Sequence, residues 1–373
     1  MQYLPLPKIR DQIQTYGRTW YDETTQVLYA NFTCGGFRIR FTGCCLAARF
    51  RAEPDTYTAT VAPPTPGRPA QPDWPYIAIF LDGSQTPVQK LAVQDGDTVP
   101  LFFSETPGTH EIQVLKLTEN FRTCLGLEGV LTDGEILPAA PEGKPVVEFI
   151  GDSITCGFGN GTNDPAHSFC AAEEDGYMTH GAIAARALGM EPRFISVSGI
   201  AVDGETPPGC YTMRQLYRYT DRICQEKLAT KAGEEAELEP YDFSAKPANY
   251  VVLNLGTNDA SQIYFSQDKL QATEAFRKNY AAFLREIRAL NGANATILCA
   301  LGCMDYYLFD EIRDIVAQYQ AETGDKKVFL LKYNKMLFAG PDVGGCLHPS
   351  IFRQEKMAEE LTAKIRELQF QGF

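Results

Sequence analysis

The chain has 373 residues, 44% of them hydrophobic, and its 34 Lys and Arg residues against 47 Asp and Glu residues give a formal net charge of -13. This length and apolar content suffice for two folded domains with buried cores. The acidic balance repels phosphate groups and therefore disfavours nucleic acid and anionic membranes as partners. The 11 cysteines form no spaced framework and include the adjacent pair Cys44 and Cys45, which favours free thiols over a disulfide scaffold.

The amino-terminal segment, MQYLPLPKIRDQIQ, does not have the pattern of a secretion signal. It lacks a basic stretch followed by a sustained apolar one, and no later apolar run is long enough to span a bilayer. We therefore expect a cytoplasmic protein, or a secreted one if a signal was removed ahead of this chain.

The first third of the chain is predicted to be β-structure. In the segment GFRIRFTG, Phe37, Ile39 and Phe41 alternate with polar residues, the period of a strand with one buried face. Short strands at regular spacing are typical of a β-sandwich or jelly roll. The Pro- and Thr-rich segment 51–75 is predicted to be a long loop. We predict an all-β domain over 1–137 and a linker over 138–145.

After the linker, strands alternate with amphipathic helices. The predicted strands are 146–150, 193–199, 250–256, 295–302 and 327–333, and the predicted helices are 181–190, 268–292, 309–320 and 348–369. Continuous apolar strands joined by helices form a parallel, doubly wound sheet, so 146–373 is predicted to be a second, α/β domain. Ligands of such sheets bind beyond the carboxyl ends of the strands, which makes the residues that follow the strands the functional candidates.

Three of these candidates suit acyl transfer. Ser153 follows the first strand in VVEFIGDSITCGFGN, where a tight glycine turn exposes a nucleophile, although the same position also suits a helix N-cap. Gly199 follows the second strand and Asn258 the third. Backbone and amide N–H groups stabilise an oxyanion, while each residue taken singly also fits an ordinary turn.

His348 is the candidate general base among four histidines. His110 lies in the β domain, His167 in the loop after the serine turn, and His180 in a helical stretch. His348 follows the fifth strand and is predicted to open the last helix, at the same rim of the sheet as Ser153. With an ordinary pKa of about 6.5, its imidazole accepts a serine proton near neutral pH.

The segments GDSIT, SVSG, GTND and HPS resemble, in order, the four blocks of the SGNH (GDSL-type) hydrolases, over the whole region from residue 146 onward. The β domain ahead of them, the strand FRIRFTG and the segment GDSITCGFG further resemble carbohydrate esterase family 2, whose members remove acetyl groups from plant polysaccharides and their oligosaccharides. The resemblance implies a flavodoxin-like three-layer domain without cofactor or metal. It also implies Ser153 as the nucleophile, His348 as the base, and the oxyanion donors Ser153 N–H, Gly199 N–H and the Asn258 side chain.

The group that orients His348 departs from the SGNH pattern. Most members carry Asp three residues before the histidine, where this chain has Gly345. Family 2 esterases often use a backbone carbonyl instead, so a Ser–His dyad is expected, with Asp342 as the possible third member of a triad.

Two features bear on the sugar. Cys346 and Leu347 stand where many family 2 members carry an Asp-Trp pair, which leaves the preferred sugar open. Tyr306 and Tyr307 follow the fourth strand and are candidates for stacking on a sugar face or for packing within the next helix.

Together these features predict a serine O-deacetylase of acetylated carbohydrates, such as xylan- or mannan-type oligosaccharides. Two alternatives stay open: a lipase- or thioesterase-like hydrolase of other acyl esters, and a carbohydrate-binding protein with vestigial activity. No nucleic acid or membrane partner is predicted, and the sequence gives no prediction of the oligomeric state.

Overall fold

The structure, a computed structural model, describes residues 1–55, 72–139, 143–206 and 209–373. The last strand of the β-rich part ends at Leu137 and the first strand of the α/β part begins at Val146. The predicted linker, 138–145, therefore lies between the two sheets, although its residues 140–142 lie outside the described residues. Most of the predicted loop 51–75 lies outside them as well.

The β-rich part forms an antiparallel sheet. Its strands are β1 (Gln2–Pro5), β2 (Gln14–Tyr16), β3 (Trp20–Asp22), β4 (Val27–Tyr29), β5 (Gly36–Glu53), β6 (Tyr76–Leu81), β7 (Gln89–Ala92), β8 (Thr98–Lys116), β9 (Cys124–Thr132) and β10 (Glu135–Leu137). Neighbours follow the order β3-β4-β9-β5-β8-β6-β7, with β1 on β9 and both β2 and β10 on β5.

Strands β5 and β8 are 18 and 19 residues long, so the prediction of short strands throughout is wrong for this pair. Their register shifts between Gly43 and Cys45 and again between Leu46 and Ala47, and such bulges bend a long ladder. The first half of β5 pairs with β2 and β10 and the second half with β9. The bent strand β5 therefore occupies a stretch in which the sequence pattern predicted only short strands. It also includes residues 51–53 of the predicted loop.

The buried face of β5 is the one that the alternation predicts. Phe37, Ile39 and Phe41 are all buried, and the first two lie opposite Val114 and Ile112 of β8 in the same hydrophobic core. Burying a side chain of this size contributes roughly 1.5–3 kcal/mol, so this face holds the β-rich part together.

The α/β part is a parallel sheet covered by helices. Its strands are β11 (Val146–Gly151), β12 (Glu191–Ser196), β13 (Tyr250–Asn254), β14 (Thr296–Gly302) and β15 (Val328–Tyr333). Its helices are α1 (Ser153–Cys156), α2 (His180–Ala187), α3 (Met213–Tyr217), α4 (Arg222–Ala232), α5 (Thr257–Phe265), α6 (Lys269–Asn291), α7 (Phe309–Thr323) and α8 (Ile351–Phe370).

The strand order is β12-β11-β13-β14-β15, the order of flavodoxin-like sheets. One core packs α6 and α7 against one face of the sheet, and a second core packs α2 and α8 against the other. The predicted three-layer α/β domain behind a β-rich domain is thus confirmed. Within the described residues, no helix combines the length and the apolar character that crossing a bilayer requires.

The last helix begins later than predicted. Ser350 is its N-cap, since the Ser350 side chain accepts a hydrogen bond from Arg353 N, and the first helical residue is Ile351. The prediction that His348 opens this helix is therefore wrong. His348 lies instead in the extended segment just before the cap, which leaves its side chain free to meet the other strand ends.

The two parts share a buried polar contact. Arg18, from the turn between β2 and β3, donates to the carbonyl oxygens of Tyr217 and Tyr219 at 2.6 and 2.8 Å, and its Nη2 lies 3.5 Å from Glu148 Oε2. Glu148, on β11, also pairs with Arg193 at 2.6 Å. Arg18 thereby anchors the β-rich part to the first strand of the parallel sheet.

Candidate active site

A cavity of about 360 Å³ opens beyond the carboxyl ends of β11, β12 and β13. It is lined by Phe121, Arg122, Ser153, Phe158, Val197, Ser198, Gly199, Ile200, Cys210, Tyr211, Asn258 and His348. In a sheet of this order, ligands bind where β11 and β13 diverge. The structure therefore brings four predicted residues, Ser153, Gly199, Asn258 and His348, to one cavity at the expected place.

The turn after β11 is shaped by tight packing. A Cβ atom on residue 151 would lie 2.0 Å from Thr155 Oγ1, so only glycine fits there. Asp152 is the N-cap of α1, since its Oδ1 accepts from Ile154 N at 3.0 Å, and burial raises the pKa of this carboxyl to about 7. Ser153 is thus the first helical residue and not the cap, and its hydroxyl is left for the cavity.

Ser153 and His348 are in direct hydrogen-bond contact. Ser153 Oγ lies 2.8 Å from His348 Nε2, and His348 Nδ1 lies 3.0 Å from the carbonyl oxygen of Cys346. A carbonyl oxygen only accepts hydrogen bonds, so Nδ1 carries the ring proton and Nε2 offers its lone pair to the serine. This is the arrangement by which an imidazole removes a proton from a hydroxyl.

Asp342 does not orient the histidine in this structure. Its Oδ2 accepts from Leu337 N at 2.7 Å, within the turn that follows β15. The Cys346 carbonyl holds the imidazole where a triad aspartate would stand, so the geometry is that of the expected Ser–His dyad. Cys346 and Leu347 both have positive φ, 52° and 61°, and this unusual backbone directs that carbonyl toward the ring.

One face of the imidazole is covered by an aromatic stack. The His348 ring centroid lies 4.6 Å from that of Phe158, which stacks on Phe169 at 4.6 Å. Burial lowers the pKa of His348 below its usual 6.5, against a smaller opposing effect of the Cys346 carbonyl. The ring is consequently neutral, and competent as a base, at neutral and mildly acidic pH.

Three N–H groups in the cavity that holds the Ser153 hydroxyl are candidate oxyanion donors. Within the described part of the chain, the N–H groups of Ser153 and Gly199 donate to no protein acceptor. Asn258 Nδ2 gives one hydrogen bond to Ile200 O at 3.0 Å, which fixes the amide and leaves its second N–H available. Gly199 has φ +79°, a conformation that favours glycine.

Several residues of the cavity were missed by the sequence reasoning. Phe121 and Arg122 come from the segment between β8 and β9, in the β-rich part, and Cys210 and Tyr211 from the loop ahead of α3. Phe121 and Arg122 follow no strand of the parallel sheet, and Cys210 and Tyr211 lie well beyond the end of β12, so the strand-end argument did not find them. Arg122 is held by Asp55 at 3.1 Å.

Tyr306 and Tyr307 do not line this cavity, as far as the described residues define it. Tyr306 OH donates to Tyr333 O at 2.7 Å and so fastens the turn after β14 to β15. Tyr307 is 56% exposed in the same turn. The expectation that these tyrosines contact the sugar is not met at this cavity.

One group of potential metal ligands stands out among the described residues. Glu119, Cys156 and Glu174 place one ligand atom each within 4.8 Å of the others, and all three are buried. The group lies behind the serine turn and outside the set of residues that line the cavity.

Comparison with known proteins agrees with this geometry. Residues 147–361 match the family described as GDSL-like Lipase/Acylhydrolase. The chain belongs to this family. The predicted SGNH (GDSL-type) resemblance is therefore confirmed, and the matched region contains Ser153, Gly199, Asn258 and His348.

Individual relatives extend the likeness into the β-rich part. The chain is 31% identical over 301 residues to the cellulase/esterase CelE of Acetivibrio thermocellus, a match that covers 78% of this chain and 34% of that protein. It is 26% identical to an acetylxylan esterase / glucomannan deacetylase of Cellvibrio japonicus, over 71% of each chain. The chain thus spans about a third of the length of the first of these relatives.

A solved structure is similar over almost the whole chain. It is a family two carbohydrate esterase from Clostridium thermocellum in complex with cellohexaose, with 26% identity and a TM-score of 0.74 over 96% of this chain and 99% of that one. The order of a β-rich domain followed by a GDSL-type domain is therefore shared with family two esterases, as predicted.

Proposed function

We propose that the chain is a serine esterase that removes O-acetyl groups from acetylated carbohydrates. The observation that carries the proposal is the 2.8 Å contact between Ser153 Oγ and His348 Nε2, in a cavity that also holds the free N–H groups. The names of the relatives supply the substrate class: one is called an acetylxylan esterase / glucomannan deacetylase, and another was solved with cellohexaose.

The chemistry follows from the geometry. Ser153 Oγ attacks the acetyl carbonyl carbon while His348 Nε2 takes the hydroxyl proton. The carbonyl oxygen becomes an oxyanion, which Ser153 N–H, Gly199 N–H and Asn258 Nδ2 stabilise. The tetrahedral species collapses as His348 returns the proton to the departing sugar oxygen. Water, deprotonated by the same imidazole, then releases acetate and restores Ser153.

The walls of the cavity suit a sugar as the leaving group. Phe121 and Tyr211 offer apolar ring surface, and Arg122 adds a positive charge beside them. Pockets for small organic ligands are usually lined by apolar and aromatic side chains with a few polar groups among them. A cavity of about 360 Å³ that holds part of a sugar leaves space for a short acyl group, which favours acetate over longer chains.

The proposal is tested with 4-nitrophenyl acetate and butyrate and with acetylated xylo- and manno-oligosaccharides. We expect acetate release that survives EDTA, falls sharply from acetate to butyrate, and drops at least about 1,000-fold in Ser153→Ala. Ser198→Ala is the matched control, because Ser198 lines the same cavity but its hydroxyl has no hydrogen-bond partner among the described residues. Equal activity of Ser153→Ala and wild type on every ester would contradict the proposal, and a preference for long acyl chains would favour a lipase-like enzyme.

A further inference from the structure

We propose that Glu119, a residue of the β-rich part, is a positioning residue that holds the Ser198–Gly199 turn so that the Gly199 N–H points at the oxyanion. The inference rests on the proposed function, since it requires Gly199 to act as an oxyanion donor. Glu119 lines no part of the cavity and acts through the backbone of the turn.

The contact that carries the proposal is short and buried. Glu119 Oε2 accepts from Ser198 N at 2.6 Å, and the Glu119 side chain is 0% exposed. Strand β12 ends at Ser196, and within the described part of the chain no sheet hydrogen bond fixes the N–H groups of residues 198 and 199. Because Ser198 directly precedes Gly199, the plane of the peptide between them sets the direction of the Gly199 N–H. Ser198 N belongs to the preceding peptide, two rotatable backbone bonds from that plane, so fixing Ser198 N narrows the positions that the Gly199 N–H can take.

Glu119 is itself held by several neighbours, so its carboxylate can fix the position of Ser198 N. Its Oε1 lies 3.4 Å from Arg122 Nε, and its Oε2 is 3.6 Å from Cys156 Sγ. Its backbone N–H donates to Glu174 Oε2 at 3.0 Å, and its carbonyl oxygen accepts from Lys116 Nζ at 2.7 Å. Both the carboxylate and the backbone of Glu119 are thus bound by neighbours from two parts of the chain.

A second buried carboxyl group, that of Glu174, lies beside Glu119. Burial, followed by the charge of Glu119, raises the pKa of Glu174 well above its usual value. This shift favours the protonated form of Glu174, while the Glu119 side chain faces the Arg122 guanidinium. A charged acceptor makes a stronger hydrogen bond to a backbone N–H than a neutral one.

The closeness of Glu119, Cys156 and Glu174 also resembles a metal site, but the charges disfavour an ion. Arg122 Nε already lies 3.4 Å from the Glu119 carboxylate, and burial raises the pKa of the Cys156 thiol well above its usual value. A metal ligand needs the thiolate. The group is better explained as the anchor of the oxyanion turn.

The test compares Glu119→Ala, Glu119→Gln and Glu174→Gln in the full chain with 4-nitrophenyl acetate. For Glu119→Ala we expect kcat to fall about 10- to 100-fold with KM changed less than about 3-fold, since only transition-state binding is weakened. Glu119→Gln keeps an oxygen that can accept from Ser198 N and should recover part of the loss. Glu174→Gln replaces a neutral carboxyl by an amide of the same shape and should stay close to wild type.

A second readout separates positioning from folding. A phenylboronic acid forms a tetrahedral adduct on the nucleophile, and its affinity should fall in Glu119→Ala by about the same factor as kcat/KM. If Glu119→Ala does not fold, Glu119→Gln carries the test: a kcat equal to wild type, or a loss seen only in KM, overturns the inference.

The controls separate this inference from the proposed function. Equal activity of Ser153→Ala and wild type would contradict both the proposed function and the role of Glu119. An inactive Ser153→Ala together with a fully active Glu119→Ala would contradict the positioning role alone. Loss of activity in EDTA that zinc restores, with Cys156→Ala as inactive as Glu119→Ala, would show a metal site and overturn the inference as well.

Discussion

Ser153 and His348 are 195 residues apart in the chain, yet their side chains meet at 2.8 Å. The contact exists because both residues lie just beyond strand ends of one parallel sheet. Among the described residues, the Cys346 carbonyl and no carboxylate binds Nδ1 of the imidazole. The base is therefore oriented without a negative charge, and its pKa is governed by burial.

This environment predicts the acid limb of the pH profile. Only neutral His348 accepts the serine proton, and burial lowers its pKa below 6.5. As the pH falls, kcat/KM should therefore hold until below about 6.5 and then decline through the lowered pKa.

The measurement is kcat/KM for 4-nitrophenyl acetate against pH, with Asp152→Asn as the control. Burial raises the pKa of Asp152, in the serine turn, to about 7, so its titration could be confused with that of His348. If the acid limb belongs to His348, its midpoint should not change when the Asp152 carboxyl is removed. A midpoint above 6.5, or one that disappears in Asp152→Asn, would contradict the assignment to His348.

Asp342 provides the sharpest contrast between a dyad and a triad. Its carboxylate contacts Leu337 N and not the imidazole, so Asp342→Asn should retain kcat within about 3-fold. Loss of a true triad aspartate costs about 10⁴-fold in kcat. Steady-state kinetics on the purified variant distinguish the two, and a loss beyond about 100-fold would restore the triad.

Residue-level prediction from the sequence was strongest where a residue follows a strand. Ser153, Gly199, Asn258 and His348 were found because the strand ends of a parallel sheet share one edge. Arg122 belongs to the β-rich part, and nothing in a local pattern tells which loop of one domain reaches the cavity of another. Tyr306 donates its hydroxyl to Tyr333 O, a partner that only the fold supplies, and its stacking on a sugar stays a prediction.

At the scale of elements, helix α8 supports the serine turn through one buried glutamine. Gln354 Oε1 accepts from His180 N and lies 2.8 Å from His180 Nδ1, and Gln354 Nε2 donates to Ile154 O at 2.8 Å. One side chain therefore ties α8 to α2 and to the short helix that begins at Ser153.

Gln354→Ala should lower the free energy of unfolding by about 3 kcal/mol, because it leaves several buried polar groups without partners. The matched control is Gln371→Ala at the exposed end of the same helix, where the side chain donates to Glu367 Oε1 at 3.1 Å and the change should be below about 0.5 kcal/mol. Urea unfolding measures both. Equal effects of the two substitutions would contradict the bridging role of Gln354.

The elements found from sequence are those with long, regular patterns. All five parallel strands and the helices α2, α6, α7 and α8 were predicted, because their apolar residues repeat with a clear period. Helices α1 and α3 have four and five residues, too few to show a period. The long strands β5 and β8 were divided because bulges break the alternation that marks a strand.

At the scale of the whole molecule, the two parts are joined by buried interactions. Arg18 crosses from the β-rich part to Tyr217, Tyr219 and Glu148, and Glu119 crosses to the oxyanion turn. We therefore expect the β-rich and α/β parts to unfold together.

The two tryptophans make this measurable. Trp20 and Trp74 both lie in the β-rich part, so tryptophan fluorescence follows that part, while circular dichroism at helix wavelengths follows the α/β part. In urea the two signals should show one common midpoint. Separate midpoints would show that the interface is weaker than its buried contacts indicate.

Arg18→Ala should reduce the free energy of unfolding by about 3 kcal/mol, because it removes one partner of a buried ion pair. Arg10→Ala is the control: Arg10 pairs with Glu23 at the surface, and its loss should change stability by less than about 1 kcal/mol. An Arg18→Ala protein as stable as Arg10→Ala would contradict the anchoring role.

The account as a whole depends on Ser153 being a nucleophile activated by His348. The most direct measurement is labelling with a fluorophosphonate, which reacts only with an activated serine, followed by mass mapping of the modified peptide. We predict one label per chain on the peptide that contains Ser153, loss of esterase activity in step with labelling, and no label in Ser153→Ala or His348→Ala. A fully labelled protein that keeps its activity, or a label on any other residue, would contradict the central claim.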